Sequence, residues 1–343
     1  MGQNSNIEWT NHTFNPWRGC TKVSAGCSHC YAEKLAGRNP GTLGVWGPSG
    51  TRVVASESMW ANPIKWNKEA EGLAERPRVF CASLADVFEG AETMPQSSQQ
   101  DVLKARVRLI GLIAQTPNLD WLLLTKRPQN VLGQLQDCMM RPESTPESDN
   151  MLGAWLRGEP PVNVWLGTSV EDQKQADARS PELLKIPAKV RFLSCEPLLG
   201  EVDLTRYADW LGRSEGGVFC PDCPEKGVGV DPDEHELCLG EIEEAPAYEG
   251  INWVIAGGES GPNARPMHPS WAYSLRDQCN AANVPFLFKQ WGEWLPSEDL
   301  PDEVGGRGIK FFDNGQMMTL VGKKNAGRLL DGREHNDFPE VPR

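Results

Sequence analysis

The chain has 343 residues, 39% of them hydrophobic and 24% charged, a balance that excludes a disordered or collagen-like polymer and allows a sizeable core. No apolar run approaches the roughly 18 residues that span a bilayer, which excludes a helical membrane protein; the opening MGQNSNIEWT lacks the basic and apolar regions of a secretory signal, so a cytoplasmic location is expected. With 34 Lys and Arg against 47 Asp and Glu, the formal charge of −13 argues against a broad basic face for nucleic acid and leaves room for a local basic cleft.

Short, uniformly apolar segments recur along the chain. The first is near Thr13–Arg18, followed by Arg78–Ser83, Asp120–Thr125, Asn163–Thr168, Val190–Ser194, Asn252–Ala256 and Val284–Lys289. Runs this brief and apolar predict strands buried on both faces of a parallel sheet. Between them, Gln99–Gln115 carries Val102, Leu103, Val107, Ile110 and Ile113 at helical spacing, and Pro269–Ala282 follows the same pattern. Strand alternating with helix predicts an α/β fold, a partial or complete (β/α) barrel. Cys138–Glu159, rich in Pro, Ser, Glu and Asp, is expected to be a surface loop, and the acidic, Cys- and His-containing stretch 212–250 an insertion. The barrel is then residues 1–300, with 301–343 a C-terminal extension packed on it.

In such barrels the chemistry gathers at the C-terminal strand ends. The residues there are polar in nearly every case: Ser83 and Asp86, Thr125 with Lys126 and Arg127, Thr168, Ser169 and Glu171, Ser194 and Glu196, Gly257, Gly258, Glu259 and Ser260, Lys289 and Gln290. Strand ends lead into loops and are often polar for that reason alone; the recurrence across the set is what points to a site. Lys126, Arg127, Arg191, Arg265 and Lys289 are cations which, if they converge, suit a carboxylate or phosphate, with Lys126, Arg127 and Lys289 the candidates for catalysis. Trp17, Trp291 and Trp294 could stack on a base or pack in the core.

Cys20, Cys27 and Cys30 form a C-x6-C-x2-C loop in a compartment where disulfides are not expected. Three thiolates suit a [4Fe–4S] cluster with one open iron. A structural zinc would need a fourth ligand from His12, His29 or Cys81, and inert buried thiols are the third option. Cys220, Cys223, His235 and Cys238 have ligand types and spacing compatible with a zinc ion in the insertion, against a loop of free thiols.

Seven stretches carry a resemblance. They are Asn15-Pro-Trp-Arg-Gly-Cys20 through Cys30-Tyr31-Ala-Glu33, Leu124-Thr-Lys-Arg-Pro128, Gly167-Thr-Ser-Val-Glu171, Leu193-Ser-Cys-Glu-Pro-Leu-Leu-Gly200, Gly257-Gly-Glu-Ser-Gly-Pro262 with Arg265-Pro-Met-His268, Phe288-Lys-Gln-Trp-Gly-Glu-Trp294 and Gly322-Lys-Lys-Asn-Ala-Gly-Arg-Leu-Leu-Asp-Gly332. On these the chain resembles the phage-associated three-cysteine-motif family of radical S-adenosylmethionine proteins, a distant relation of spore photoproduct lyase. Most radical S-adenosylmethionine enzymes use C-x3-C-x2-C with an aromatic residue before the last Cys; this chain has His29 there and Tyr31 after it.

The resemblance implies a partial (β/α) barrel whose [4Fe–4S] cluster binds S-adenosylmethionine, generates a 5′-deoxyadenosyl radical and draws electrons from a donor such as flavodoxin. Tyr31, Ser194, Glu196, Gly257, Gly258, Glu259 and Ser260 would contact the cofactor, the glycines by close backbone approach and Glu259 by accepting from the ammonium group. The substrate implied is a modified nucleotide or DNA in the host cytoplasm, most concretely a modified thymidine isomerised during phage DNA hypermodification. Lyase-type repair of a DNA lesion and a non-catalytic metal-binding protein that partners a phage or host protein are the alternatives.

Overall fold

The computed structural model describes residues 4–206, 210–212, 218–219, 243–244 and 250–340. Among them, β1 (His12–Thr13), β2 (Arg78–Cys81), β3 (Asp120–Thr125), β4 (Val164–Ser169), β5 (Val190–Cys195), β6 (Trp253–Gly257) and β7 (Phe286–Gln290) form one parallel sheet in chain order. A doubly wound sheet would reverse its strand order near the middle; winding in one direction throughout gives a barrel, here left open between β1 and β7. The fold is an α/β partial barrel. No helix among the described residues is long and apolar enough to cross a membrane.

The strands read as continuous apolar runs because both faces are covered. Phe80, Leu122, Trp165, Phe192, Trp253, Ile255 and Leu287 turn to an inner cluster around Trp9, whose ring centroid lies 4.4 Å from that of Phe80. Their neighbours Val79, Cys81, Leu123, Leu166, Leu193, Val254 and Phe288 join the larger cluster beneath the helices. Gly167 makes the inner packing possible, since a Cβ there would fall 2.4 Å from the Phe192 ring. The outer helices are α1 (Tyr31–Arg38), α2 (Glu57–Glu69), α3 (Gln96–Gln115), α4 (Val131–Cys138), α5 (Pro146–Leu156), α6 (Gln173–Leu184) and α7 (Pro269–Ala281).

Two expectations are corrected. The first strand does not run through Thr13–Arg18: it splits at Pro16, which has no N–H for a sheet ladder, and Trp17–Arg18 pairs antiparallel with Val53–Val54 instead. Cys138–Glu159 is not a loop throughout, because α5 occupies Pro146–Leu156. Thr145 caps it through a reciprocal pair with Ser148, Pro146 starts the first turn, and Leu152 and Trp155 are buried against the core.

Beyond β7, β8 (Trp294–Pro296), β9 (Ile309–Phe311) and β10 (Met317–Leu320) form a small antiparallel sheet with β10 in the middle, joining segments on either side of position 300. Further on, the chain returns to the free edge of β7, where the Phe288 N–H donates to His335 O (3.0 Å) and the Asp337 N–H to Phe286 O (3.2 Å). Of the 212–250 stretch, Val218–Phe219 pairs antiparallel with Glu243–Glu244. Cys220, Cys223, His235 and Cys238 lie outside the described residues.

Candidate active site

The loop after β1 carries the three cysteines. Gly19 adopts φ +109° and passes so close to Thr51 O that a Cβ would sit 2.5 Å from it, which fixes the turn into Cys20. Cys27 ends a short 3-10 turn (Ala25–Cys27), and Cys30 immediately precedes α1. All three are partly buried and line a single cavity of about 470 Å³. Trp9, Phe80 and Leu124 from the barrel interior form its apolar floor. Around it stand the strand ends, so that Tyr31, Lys126, Arg127, Ser194, Glu196, Gly258, Glu259, Ser260 and Lys289 all reach the same cavity.

Several other expected residues lie elsewhere. Gly257 is at a register shift in β6, outside the cavity lining. Arg191 points back to its own side of the sheet, donating to Ile186 O at 3.1 and 2.8 Å. Trp17 is fully buried, while the indole N–H groups of Trp291 and Trp294 donate to Leu329 O and Ala264 O at 2.7 Å, so these rings pack the scaffold and do not line the cavity.

Of the expected cations, Lys126, Arg127 and Lys289 converge on the cavity, and these three and Arg265 are each already met by a carboxylate. Arg127, 3% exposed, donates Nη1 to Asp86 Oδ2 (2.7 Å) and Nη2 to Thr21 O (2.7 Å), with Nη1 also 3.8 Å from Cys20 Sγ. Lys126 is bonded to Glu171, which also accepts from Arg179 (3.0 Å) and Ser24 (3.0 Å). Lys289 Nζ donates to both Glu196 oxygens at 2.7 and 2.8 Å, and Gln290 adds a third bond at 3.1 Å. Glu259 receives Arg265 at 2.6 and 2.9 Å through the guanidinium and 2.8 Å through the backbone N–H. His29 Nδ1 is 3.0 Å from Glu259 Oε2; a carboxylate only accepts, so this nitrogen carries the proton.

Burial pushes Glu171 and Glu259 towards the neutral form, but their partners outweigh it and hold both below the ordinary carboxylate value: the cations Lys126 and Arg179 for Glu171, the Arg265 guanidinium and the His29 hydrogen bond for Glu259. Burial pushes the Cys20 thiol up to about 12, with Asp86 and Glu89 adding to it and Arg127 opposing. Burial raises Cys30 as well; the amides of Glu33 and Ala32 pull the other way without closing a geometric cap bond.

The expected role of Glu259, accepting from a ligand's ammonium group, has competition, because most of its acceptor capacity is used within the protein. Arg265 also donates to Ala25 O (3.0 Å), so the Glu259 turn and the cysteine loop are tied at two points. The partners that sequence reasoning missed are His29, Arg179 and the buried Arg52–Glu89 pair (2.7 Å), which holds Thr21 through its N–H on Glu89 (3.0 Å). His29 and Arg52 meet partners distant in the chain, Glu259 and Glu89, which no local spacing announces; Arg179, on α6, lies only eight residues from Glu171 and could have been found as a neighbour.

Among the described residues, no three His, Cys, Asp or Glu side chains converge on one metal ion. A structural zinc takes four protein ligands, whereas an iron–sulfur cluster receives each thiolate on a different iron. Three partly buried thiols around one cavity, with a guanidinium beside one sulfur, fit the second donor set.

A family model described as "Protein of unknown function (DUF5131)" matches residues 4–339. No curated protein matches the chain. Among solved structures, spore photoproduct lyase complexed with dinucleoside spore photoproduct is similar at a TM-score of 0.38 and 10% identity, over 92% of this chain and 69% of that one. A mutant of the same lyase with bound AdoMet and dinucleoside spore photoproduct is similar at a TM-score of 0.38 and 10% identity, over 91% and 68%.

Proposed function

We propose, for a chain that belongs to the DUF5131 family, that Cys20, Cys27 and Cys30 hold a [4Fe–4S] cluster and that the cavity beside them binds S-adenosylmethionine and substrate. The observation that carries this reading is the meeting of all three thiols with the polar ends of the parallel strands in one cavity of about 470 Å³. That volume is within the range of small-molecule sites, about 300–1,000 Å³. When bound, the cluster and S-adenosylmethionine supply a 5′-deoxyadenosyl radical that abstracts hydrogen from the substrate.

The chain's own residues orient and enclose. Glu259, held by Arg265 and His29, fixes the cysteine loop against the β6 turn. Tyr31, its hydroxyl anchored on Ser83 O at 2.7 Å, presents an exposed ring for stacking at the cavity wall. Glu196, Lys289 and the hydroxyls of Ser194 and Ser260 supply hydrogen-bonding groups for the amino-acid and ribose parts of a cofactor. The apolar floor excludes water from the reacting region.

The substrate in this reading is a modified nucleotide or DNA. Isomerisation of a modified thymidine during phage DNA hypermodification is the first form of the reaction and cleavage of a DNA lesion the second, with an electron donor of the flavodoxin type. Anaerobic reconstitution tests the class: the wild-type chain takes up about four irons and four sulfides and releases 5′-deoxyadenosine, and replacement of any of Cys20, Cys27 or Cys30 by Ala removes both. Stoichiometric zinc with no nucleoside released would instead make it a non-catalytic metal-binding protein. Nucleoside mass spectrometry of treated DNA separates the two reactions, since isomerisation changes retention at constant mass.

A further inference from the structure

We propose that Arg127 sets the reduction potential of the cluster by donating a hydrogen bond to the Cys20 sulfur; this rests on the cluster reading above. The geometry is specific. Arg127 Nη1 approaches Cys20 Sγ at 3.8 Å, within hydrogen-bond reach of sulfur, while the same guanidinium holds Asp86 and the carbonyl that follows Cys20, Thr21 O. Asp86 cannot swing away, because it also accepts from the Thr125 hydroxyl (2.6 Å) and from the N–H groups of Lys126 (3.1 Å) and Phe88 (3.0 Å). The fork is thus held by Asp86 at Nη1 and by Thr21 O at Nη2, which leaves Nη1 beside the sulfur, on a side chain that is 3% exposed.

Charge balance gives the sign of the effect. Two carboxylates, Asp86 and Glu89, pair with the guanidinium groups of Arg127 and Arg52 in this corner, and a third buried guanidinium, Arg106, donates to Val87 O and Glu89 O beside them. Reducing the cluster adds one electron to a group already made anionic by its thiolates. An N–H···S bond from a permanent cation withdraws density from the Cys20 sulfur and favours the reduced state. Removing Arg127 takes away that bond and unmasks Asp86, and both changes move the potential in the negative direction. Arg127 is therefore a residue that tunes and positions the cluster and need not touch substrate, a different role from that of a catalytic cation.

The test is an electron paramagnetic resonance titration of the anaerobically reconstituted full chain, with dithionite as the reductant. Arg127→Met paired with Asp86→Asn removes both charges together, so that no buried carboxylate is stranded and the hydrogen bond is isolated. At the wild-type midpoint its reduced-to-oxidised ratio falls about tenfold, a shift of about 59 mV for one electron. Arg127→Lys keeps the charge beside Asp86 but, as a point donor, cannot reach the carbonyl, the carboxylate and the sulfur together; it shifts in the same direction by less, and carries the test where the double variant does not fold. A fully loaded variant with the wild-type midpoint overturns the role of Arg127. A wild-type chain that takes up no cluster overturns instead the reading on which the proposal rests.

Discussion

Gly257 and Gly258 are adjacent, and the chain itself constrains only one of them. A Cβ on Gly258 would lie 2.0 Å from Trp291 O, and one on Gly292, at φ +85°, would lie 2.1 Å from Glu259 O, so the two turns interlock backbone against backbone. A Cβ on Gly257 meets nothing nearer than 3.4 Å. Gly258→Ala is therefore expected to cost more than about 2 kcal/mol and Gly257→Ala less than about 1 kcal/mol; denaturant unfolding of the two variants reads the contrast directly, and equal losses would refute the interlock. In the sequence both glycines read as room for a cofactor, and what Gly258 visibly makes room for is Trp291. That reason was hidden because the partner is distant in the chain and is a backbone carbonyl, a group every residue has. Glu259 teaches the same lesson: Arg265, in the same turn, was legible as a neighbour, while His29, from the other end of the chain, was not. The cysteine trio was legible because its members are close in sequence and of one rare chemistry.

At the scale of elements, Glu171 joins four of them. From the end of β4 it binds Lys126 after β3, Arg179 on α6 and Ser24 in the cysteine loop, and a Cβ on Gly26 would collide with its side chain at 2.5 Å. Its carboxyl is held below 4.5, so the stability it contributes is fully present above that ordinary value and is lost as pH falls through the lower folded value. Glu171→Gln is expected to cost about 3 kcal/mol at pH 7, because Lys126 and Arg179 lose their counter-charge, and its stability should converge on that of the wild type in acid. Urea titrations at neutral pH and in acid well below the ordinary value of 4.5 check this; a deficit that stays constant with pH would show that packing, not charge, makes the contribution. The strands themselves were readable, to within a residue or two for the six after β1, because burial on both faces leaves an unbroken apolar run that no surface element shares. Helix α5 escaped because its polar composition suggested a loop, although Thr145, Pro146 and Ser148 spell a helix start and Leu152 and Trp155 supply the buried side.

For the molecule as a whole, an open barrel needs something to cover its last strand. Residues 335–338 do so: they bond to Phe286 and Phe288 of β7, Asp337 O accepts the indole N–H of Trp253 at 2.8 Å, and Phe338 lies against Trp253 at 5.1 Å and under the Arg78 guanidinium at 3.9 Å. Nothing in Arg333-Glu-His-Asn-Asp-Phe338 alternates or looks apolar enough to announce this, because the strip contributes chiefly its backbone and one ring. Trp253 opens β6 and Arg78 opens β2, so the strip seals the N-terminal end of the barrel while the cysteine cavity occupies the other. The two ends should then be separable. Phe338→Ala removes a ring from the Trp253 cluster and should cost about 1–3 kcal/mol, and ending the chain at Gly332 should cost more, since the edge of β7 is left unpaired as well. Neither change touches a residue that lines the cavity, so iron and sulfide uptake per folded chain, and the midpoint of any cluster formed, should match the wild type. Loss of the cluster from a Phe338→Ala chain that remains folded would mean instead that the barrel transmits strain from one end to the other, and that the floor of Trp9 and Phe80 carries it.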